Sequence, residues 1–403
     1  MDENLPHQGN INGNKRIQVS VWELLPDLAR YLSMKSRLAL AISLSLFLIP
    51  GSLLAAPVVT EDAIRTTLTA HAVPLHGAGE ARLLAEARSH DFFLLGELHG
   101  EHEIPELMKD LWPQLWAAGY RHVAGELSPW AVEHLDQAKG LWTQDQASLV
   151  DQFAGPKQHV VWGCDIDEGQ PERLIADMAK LNPEDATLKQ MVALTAHRYN
   201  RKQAPQLLSL SETDHPARDI TIGGISLWNN LRQTLRVEAL RSNPDTKLGA
   251  SEARELVMKE LFLSHDRQEP ESKVFLRFGR NHLHRGYDAR GVSTLGNFVA
   301  ELAITENKSV FNVGTFAAGG KEHLAGETFN ADERQDELSF ALLAQLAGPD
   351  ATLFDLRMLR PMLHSIAQEK RTPLETNLIY WADSYDFLIC YPVVSPLMKD
   401  LPR

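Results

Sequence analysis

The chain has 403 residues, 44% apolar and 23% charged, and can bury one large core or two modest ones. Its 53 acidic against 40 basic residues give a net charge of −13, spread without long blocks, which argues against a nucleic-acid partner. Trp and Phe are scattered, and no low-complexity tract or fixed-period repeat shows, which argues against a solenoid.

Met34, Lys35 and Arg37 precede an apolar run from Leu38 to Leu54 that ends in Ala55 and Ala56. A basic head, a short apolar core broken by Pro50 and Gly51, and small residues at the cut read as a secretory signal peptide over 34–56. Ser43 and Ser45 leave the run short for a membrane span. Residues 1–33 then read as a translation start assigned too early, the rival being a cytoplasmic tail on an anchored protein. Export predicts a periplasmic or secreted chain beginning near residue 57, which touches a membrane only if the segment stays uncleaved. Cleavage would leave 35 basic and 49 acidic residues, so the acidity is kept.

Seven apolar runs follow: Asp91–Gly96, His122–Leu127, His159–Ile166, Lys273–Gly279, Ser309–Phe316, Ala351–Leu356 and Phe387–Val394. Helical periodicity separates them, including Glu103–Ala118, which is the pattern of an α/β domain over 57–403 with a mainly parallel central sheet flanked by helices. Between the third and fourth runs, residues 169–268 carry helical patterns at Glu172–Leu181, Leu188–Leu208 and Arg218–Arg241. That is too long for one crossover and reads as a helical insertion, either a cap over a substrate pocket or plain packing. Cys164 and Cys390 read as buried apolar thiols, although export would permit a bridge.

The first run leads into Gly96-Glu97-Leu98-His99-Gly100-Glu101-His102-Glu103. Glu97 and His99 are two apart and face one side of an extended chain, as a general-base pair requires. The bland reading is a solvated loop whose acids favour the N-terminus of the next helix. The second run ends in Gly125-Glu126; two carboxylates at neighbouring strand ends repel unless one holds a proton, a cation or an imidazolium. The fourth ends in Gly279-Arg280-Asn281-His282-Leu283-His284-Arg285, where His282 and Asn281 offer donors to an oxyanion and Arg285 a fork for an anion. Asp165 and Asp167 at the third strand end are weaker candidates, because acids there also serve as N-caps.

Absences narrow the chemistry. No G-x-S-x-G occurs, neither Cys has a nearby His, His102–Glu106 lacks the second His of a zinc-protease helix, and Gly314–Lys321 misses the spacing of a phosphate loop.

Assembled, these residues resemble the superfamily that includes erythromycin esterase-like proteins, the haem-binding ChaN lipoproteins and the Tiki/TraB group. Gly96-Glu97-Leu98-His99 is similar to its first G-x-x-H, Glu126 to the acid ending the next strand, and Gly279-Arg280-Asn281-His282 to its second G-x-x-H. Asp165 and the helix beginning at Arg218-Asp219 are similar to further positions. The resemblance spans roughly Arg82 to Pro396 and implies a mixed α/β fold with the site at its strand ends. It does not imply one reaction. Esterase-like members imply a hydrolase that activates water on an ester, lactone or amide of a small-molecule or peptide substrate. In that scheme His99 is the base, Glu97 or Glu126 orients it, and His282 with Arg218 or Arg285 steadies the oxyanion. Tiki-type members imply a divalent-metal-dependent peptidase, with His99, Glu126 and His282 as ligands. ChaN-type members imply haem uptake without turnover, for which no Tyr, Met or Cys stands out as an axial ligand.

Overall fold

The computed structural model describes residues 59–134, 160–167, 170–212, 219–324 and 326–397. The signal-like segment 34–56 and Arg218 lie outside them. In chain order come α1 (Glu61–His71), β1 (Ala72–Pro74), α2 (Glu80–Ser89), β2 (Phe92–Glu97), α3 (Glu103–Ala117), β3 (Tyr120–Gly125), α4 (Pro129–Glu133) and β4 (Val161–Gly163). The insertion supplies α5 (Pro171–Leu181), α6 (Ala186–Thr195), α7 (Ala204–Ser211), β5 (Thr221–Ile222), β6 (Ile225–Ser226), α8 (Leu227–Arg241) and α9 (Lys247–Asp266). After it come β7 (Lys273–Gly279), α10 (Leu295–Thr305), β8 (Val310–Leu324), β9 (Glu327–Asp332), α11 (Leu338–Leu346), β10 (Thr352–Asp355), α12 (Arg360–His364), α13 (Pro373–Ser384) and β11 (Phe387–Tyr391).

The central sheet runs β1-β10-β11-β8-β2-β7-β3-β4, with β9 paired to β8. From β11 to β4 every pairing is parallel; β1 and β10 make an antiparallel edge. A mixed α/β fold with a mostly parallel nine-stranded sheet is thus what the alternation of runs and helices produces. β2 is buried at all six positions, as a strand covered on both faces must be. Its side chains alternate: Phe93 and Leu95 enter the core on one face, Phe92 and Leu94 the core on the other. β7 follows suit with Phe275 on the first face and Val274, Leu276 and Phe278 on the second.

Several expectations move. The run Leu188–Leu208 is not one helix: Arg198 at φ +95° interrupts it, Asn200 caps a short 3₁₀ turn, and Pro205 starts α7. The helix expected from Arg218 begins only at Leu227, capped by Ser226. Before it, Gly223 and Gly224, both at positive φ, make the two-residue turn of the hairpin β5–β6. The third run shrinks to Val161–Gly163, and the fifth extends to Leu324 because β9 returns antiparallel to its distal half. Cys164 and Cys390 are buried and unbridged.

β7 lies between β2 and β3, and β8 lies on the other side of β2, so the chain changes direction across β2. In an open α/β sheet the carboxyl ends at such a switch point form a crevice for ligands.

Candidate functional site

The carboxyl ends of β2, β3 and β7 carry Glu97, Glu126 and Gly279, with Glu97 in register with Gly279. Glu97 ends the same-face series Phe93, Leu95, Glu97, and Arg277 ends the series Phe275, Arg277 on the adjacent strand. Period-two alternation therefore brings the two charges together under the sheet's lip. Arg277 Nε donates to Glu97 Oε2 at 2.5 Å, and both residues are buried. The pair persists because each charge has its partner; removing one alone would leave an uncompensated charge, at about 3–5 kcal/mol.

His99 leaves β2 beside this pair, 26% exposed, with Nδ1 3.5 Å from Glu97 Oε1 and Nε2 3.5 Å from Glu126 Oε2. Glu126 occupies the centre. Its Oε2 accepts the Gly279 amide at 2.8 Å, its Oε1 accepts Arg254 Nη2 at 2.7 Å, and the same Oε1 lies 3.5 Å from His282 Nε2. His282, in the turn after β7, has Nδ1 2.5 Å from Glu255 Oε1, while Glu255 Oε2 accepts the Leu295 amide opening α10. The outcome is two imidazoles whose Nε2 atoms turn to opposite oxygens of one shared carboxylate, with His282 Nδ1 hydrogen-bonded to Glu255 and His99 Nδ1 near Glu97 but without a hydrogen bond.

The charges follow from this geometry. Burial pulls the His99 imidazole down, but Glu126, then Glu97 and Glu101, outweigh it and hold its pKa above the ordinary histidine value. Burial opposes ionisation of Glu126, yet His282, His99, Arg254 and the Gly279 amide keep it an anion well below the usual carboxylate range. Glu101 stands apart: burial and the nearby Glu97 push it up to about 8, and its buried Oε2 has no hydrogen-bond partner.

Gly279 is required by space. A Cβ there would sit 2.5 Å from His99 Nε2 and 3.2 Å from Glu126 Oε2. Gly100, at φ +91°, turns the chain beneath the β8–β9 hairpin, where a Cβ would meet His323 O at 2.3 Å.

Of the residues singled out from sequence, Glu97, His99, Glu126 and His282 meet in one cluster. Asp165 joins from behind: it binds Arg254 through both oxygens, at 3.1 and 2.5 Å, and so aims that guanidinium at Glu126. Arg285 is engaged elsewhere, in a two-pronged pair with Asp386. Asn281 is exposed in the turn that carries His282. His284 is buried against Tyr380, Trp381 and Tyr385, with Nδ1 2.6 Å from Ser384 Oγ. Burial, then Arg280, push it down to about 3, which makes it a neutral core histidine.

Sequence reading missed Arg254 and Glu255, which α9 delivers from the insertion. A signal existed: Arg254 is on the stripe Ala250, Met258, Leu261, Phe262, His265, where a helix that packs on a sheet should be apolar. Among the described residues, no three His, Cys, Asp and Glu side chains are placed to hold a metal ion together. Glu126, the shared donor of the proposed ligand set, already accepts the Arg254 guanidinium and the Gly279 amide. As folded, the set does not fit a metal.

No family model matches the chain, and no curated protein matches it by sequence. Among solved structures, a protein from Bacillus cereus superposes with TM-score 0.57 at 17% identity, over 84% of this chain and 98% of that one. A succinoglycan biosynthesis protein gives 0.53 at 13% identity, over 84% and 98%. A mutant of the erythromycin esterase EreC, in its open conformation, gives 0.51 at 12% identity, over 78% and 93%. At these identities the likeness is one of fold, and at that level it agrees with the resemblance read from the paired G-x-x-H motifs.

Proposed function

We propose that the chain is a hydrolase that activates water against an ester, lactone or amide carbonyl. One observation carries this reading: His99 and His282 direct their Nε2 atoms at the two oxygens of Glu126, each backed at Nδ1 by its own carboxylate. An imidazole so backed accepts a proton at Nε2 while the carboxylate steadies the cation that forms. His99, the more exposed of the two, is the base that takes the proton from water. His282, held by Glu255, is the donor that faces the developing oxyanion or the leaving group. Glu126, kept ionised by His282, His99 and Arg254, stabilises either imidazolium. The fold shared with an erythromycin esterase is consistent with this chemistry and does not identify a substrate.

The test is turnover of a panel of aryl esters and lactones by the purified chain and by His99→Ala. The expected result is hydrolysis that falls by about 10²–10⁴-fold in the variant, the usual worth of a general base. Equal residual turnover in folded wild type and variant would assign the activity to a contaminant and remove the reading.

A further inference from the structure

Among the described residues, every arginine around the cluster is committed to an acid: Arg254 to Glu126 and Asp165, Arg277 to Glu97, Arg280 to Glu333, and Arg285 to Asp386. The anion-holding role expected of Arg285 is therefore filled from within the protein. The carboxylates are not matched in the same way. Among the described residues the Glu322 side chain, on β8, makes no ion pair or hydrogen bond, and Glu101, only 2% exposed, has a buried Oε2 without a partner. Beside Glu101 is the buried hydroxyl of Tyr391, also unpartnered.

The hairpin places Glu322 over the site. His323 donates its amide to Gly100 O at 2.9 Å, which seats this stretch of β8 on the loop that carries His99. Glu322 is near enough to His99 and to Glu101 for their charges to bear on one another. In the β8–β9 register Glu322 is directly opposite Phe329, so the two side chains share one face of the hairpin, and Phe329 is 44% exposed. A carboxylate beside an open aromatic face, with no cation in contact, is the pairing that receives an organic ammonium group.

Building on the hydrolase reading, we infer that the substrate carries a protonated amine or quaternary ammonium group close to the cleaved bond, and that Glu322 with Phe329 receives it. The ammonium would bring positive charge to an acidic mouth whose guanidinium groups, among the described residues, are each paired with an acid. Glu322 and Phe329 are then specificity residues and leave the bond-breaking step to the histidines.

The test compares choline with its uncharged isostere 3,3-dimethylbutanol, by calorimetry at pH 8 and low salt, and the acetate esters of both by turnover. Choline is expected to bind at least about tenfold more tightly and its acetate to show a correspondingly lower KM at similar kcat. Glu322→Gln should erase both preferences, and Phe329→Ala should reduce them; circular dichroism checks folding. Equal binding of the two alcohols, or a preference that survives Glu322→Gln, overturns the inference. Hydrolysis of both esters without discrimination would retain the hydrolase and remove the ammonium site. Glu322-dependent choline binding without hydrolysis of either ester would do the reverse.

Discussion

The two halves of the cluster are built in different ways. Glu97 and His99 come from one strand end, two residues apart, and their contact at 3.5 Å follows from period-two geometry. Glu255 and His282 come from a helix of the insertion and from the turn after β7, 27 residues apart, and meet at 2.5 Å. The local dyad is looser and more open; the long-range dyad is tighter and deeper, with its carboxylate also tied to the α10 amide. A mobile base and a rigid donor are the division of labour this difference suggests, since the base must exchange protons with water while the donor must hold its direction.

The most severe way to break the comparison is to remove both imidazoles. His99→Ala and His282→Ala should each cost about 10²–10⁴-fold in kcat/KM. The double variant should lose far less than the product of the two losses, as residues that act as a unit do. Losses that multiply in full, in folded protein, would place the histidines in separate sites.

Next in size is Gly279→Ala. Its added Cβ would press hardest on His99 Nε2, at 2.5 Å, and then on the shared Glu126 Oε2, at 3.2 Å, without meeting His282. A displacement of about 1 Å in a catalytic group can cost roughly 10²-fold, so a loss near that size is expected with little change in urea midpoint. Retained activity would show that His99 Nε2 does not work against this wall.

That asymmetry also sets what could be read from sequence. Strand ends that finish in Gly and an acid or histidine were legible because buried parallel strands are continuous apolar runs, and their polar residues can only emerge at the edge. Glu97, His99, Glu126 and His282 were found on that basis. Arg254 and Glu255 were not, because a helical charge declares itself only when the buried face of its helix is known, and the helical patterns read in the insertion stop at Arg241, short of α9. Arg277 was hidden by its own strand: it reads as a flaw in an apolar run until the register shows Glu97 beside it. The β8–β9 hairpin was invisible since β9 is a mostly exposed strand with no apolar alternation to announce it.

Glu255→Gln and Glu97→Gln sharpen the comparison at smaller amplitude. Loss of an orienting partner of a histidine typically costs about 10–100-fold, and the tighter Glu255 contact should lie at the upper end. Their pH profiles should differ. His99 must be neutral to act as base, so kcat/KM should rise with pH through its pKa, which the acids hold above the ordinary histidine value. Glu97→Gln removes one of those acids, so the rising limb should shift to lower pH; Glu255→Gln should leave the limb in place. A limb that ignores Glu97→Gln would assign the base to another group. Arg277 loses its partner in Glu97→Gln, so stability must be measured alongside.

The smallest effect on catalysis, and a clear one on stability, is expected at two buried groups that flank the dyads without joining them. Glu101, two residues past His99, is pushed up to about 8 by burial and Glu97; His284, two residues past His282, is pushed down to about 3 by burial and Arg280. A carboxyl with a raised native pKa binds its proton more tightly folded than unfolded, so its share of stability is present below the ordinary carboxylate value of 4.5 and is lost as pH rises through about 8. A histidine with a lowered native pKa gives the opposite slope: stability is lost as pH falls from its ordinary 6.5 towards about 3. Glu101→Gln should therefore flatten the alkaline side of a plot of urea midpoint against pH, by an amount on the order of a few kcal/mol between pH 5 and 9. The acid side should keep its slope. The flattening will be partial, because burial also raises Asp167 to about 7, and that group stays in the variant with the same sign. If the variant and the wild type lose stability in parallel from pH 5 to 9, Glu101 does not hold its proton in the folded chain, and the loop beneath the hairpin carries one more negative charge beside His99 than described.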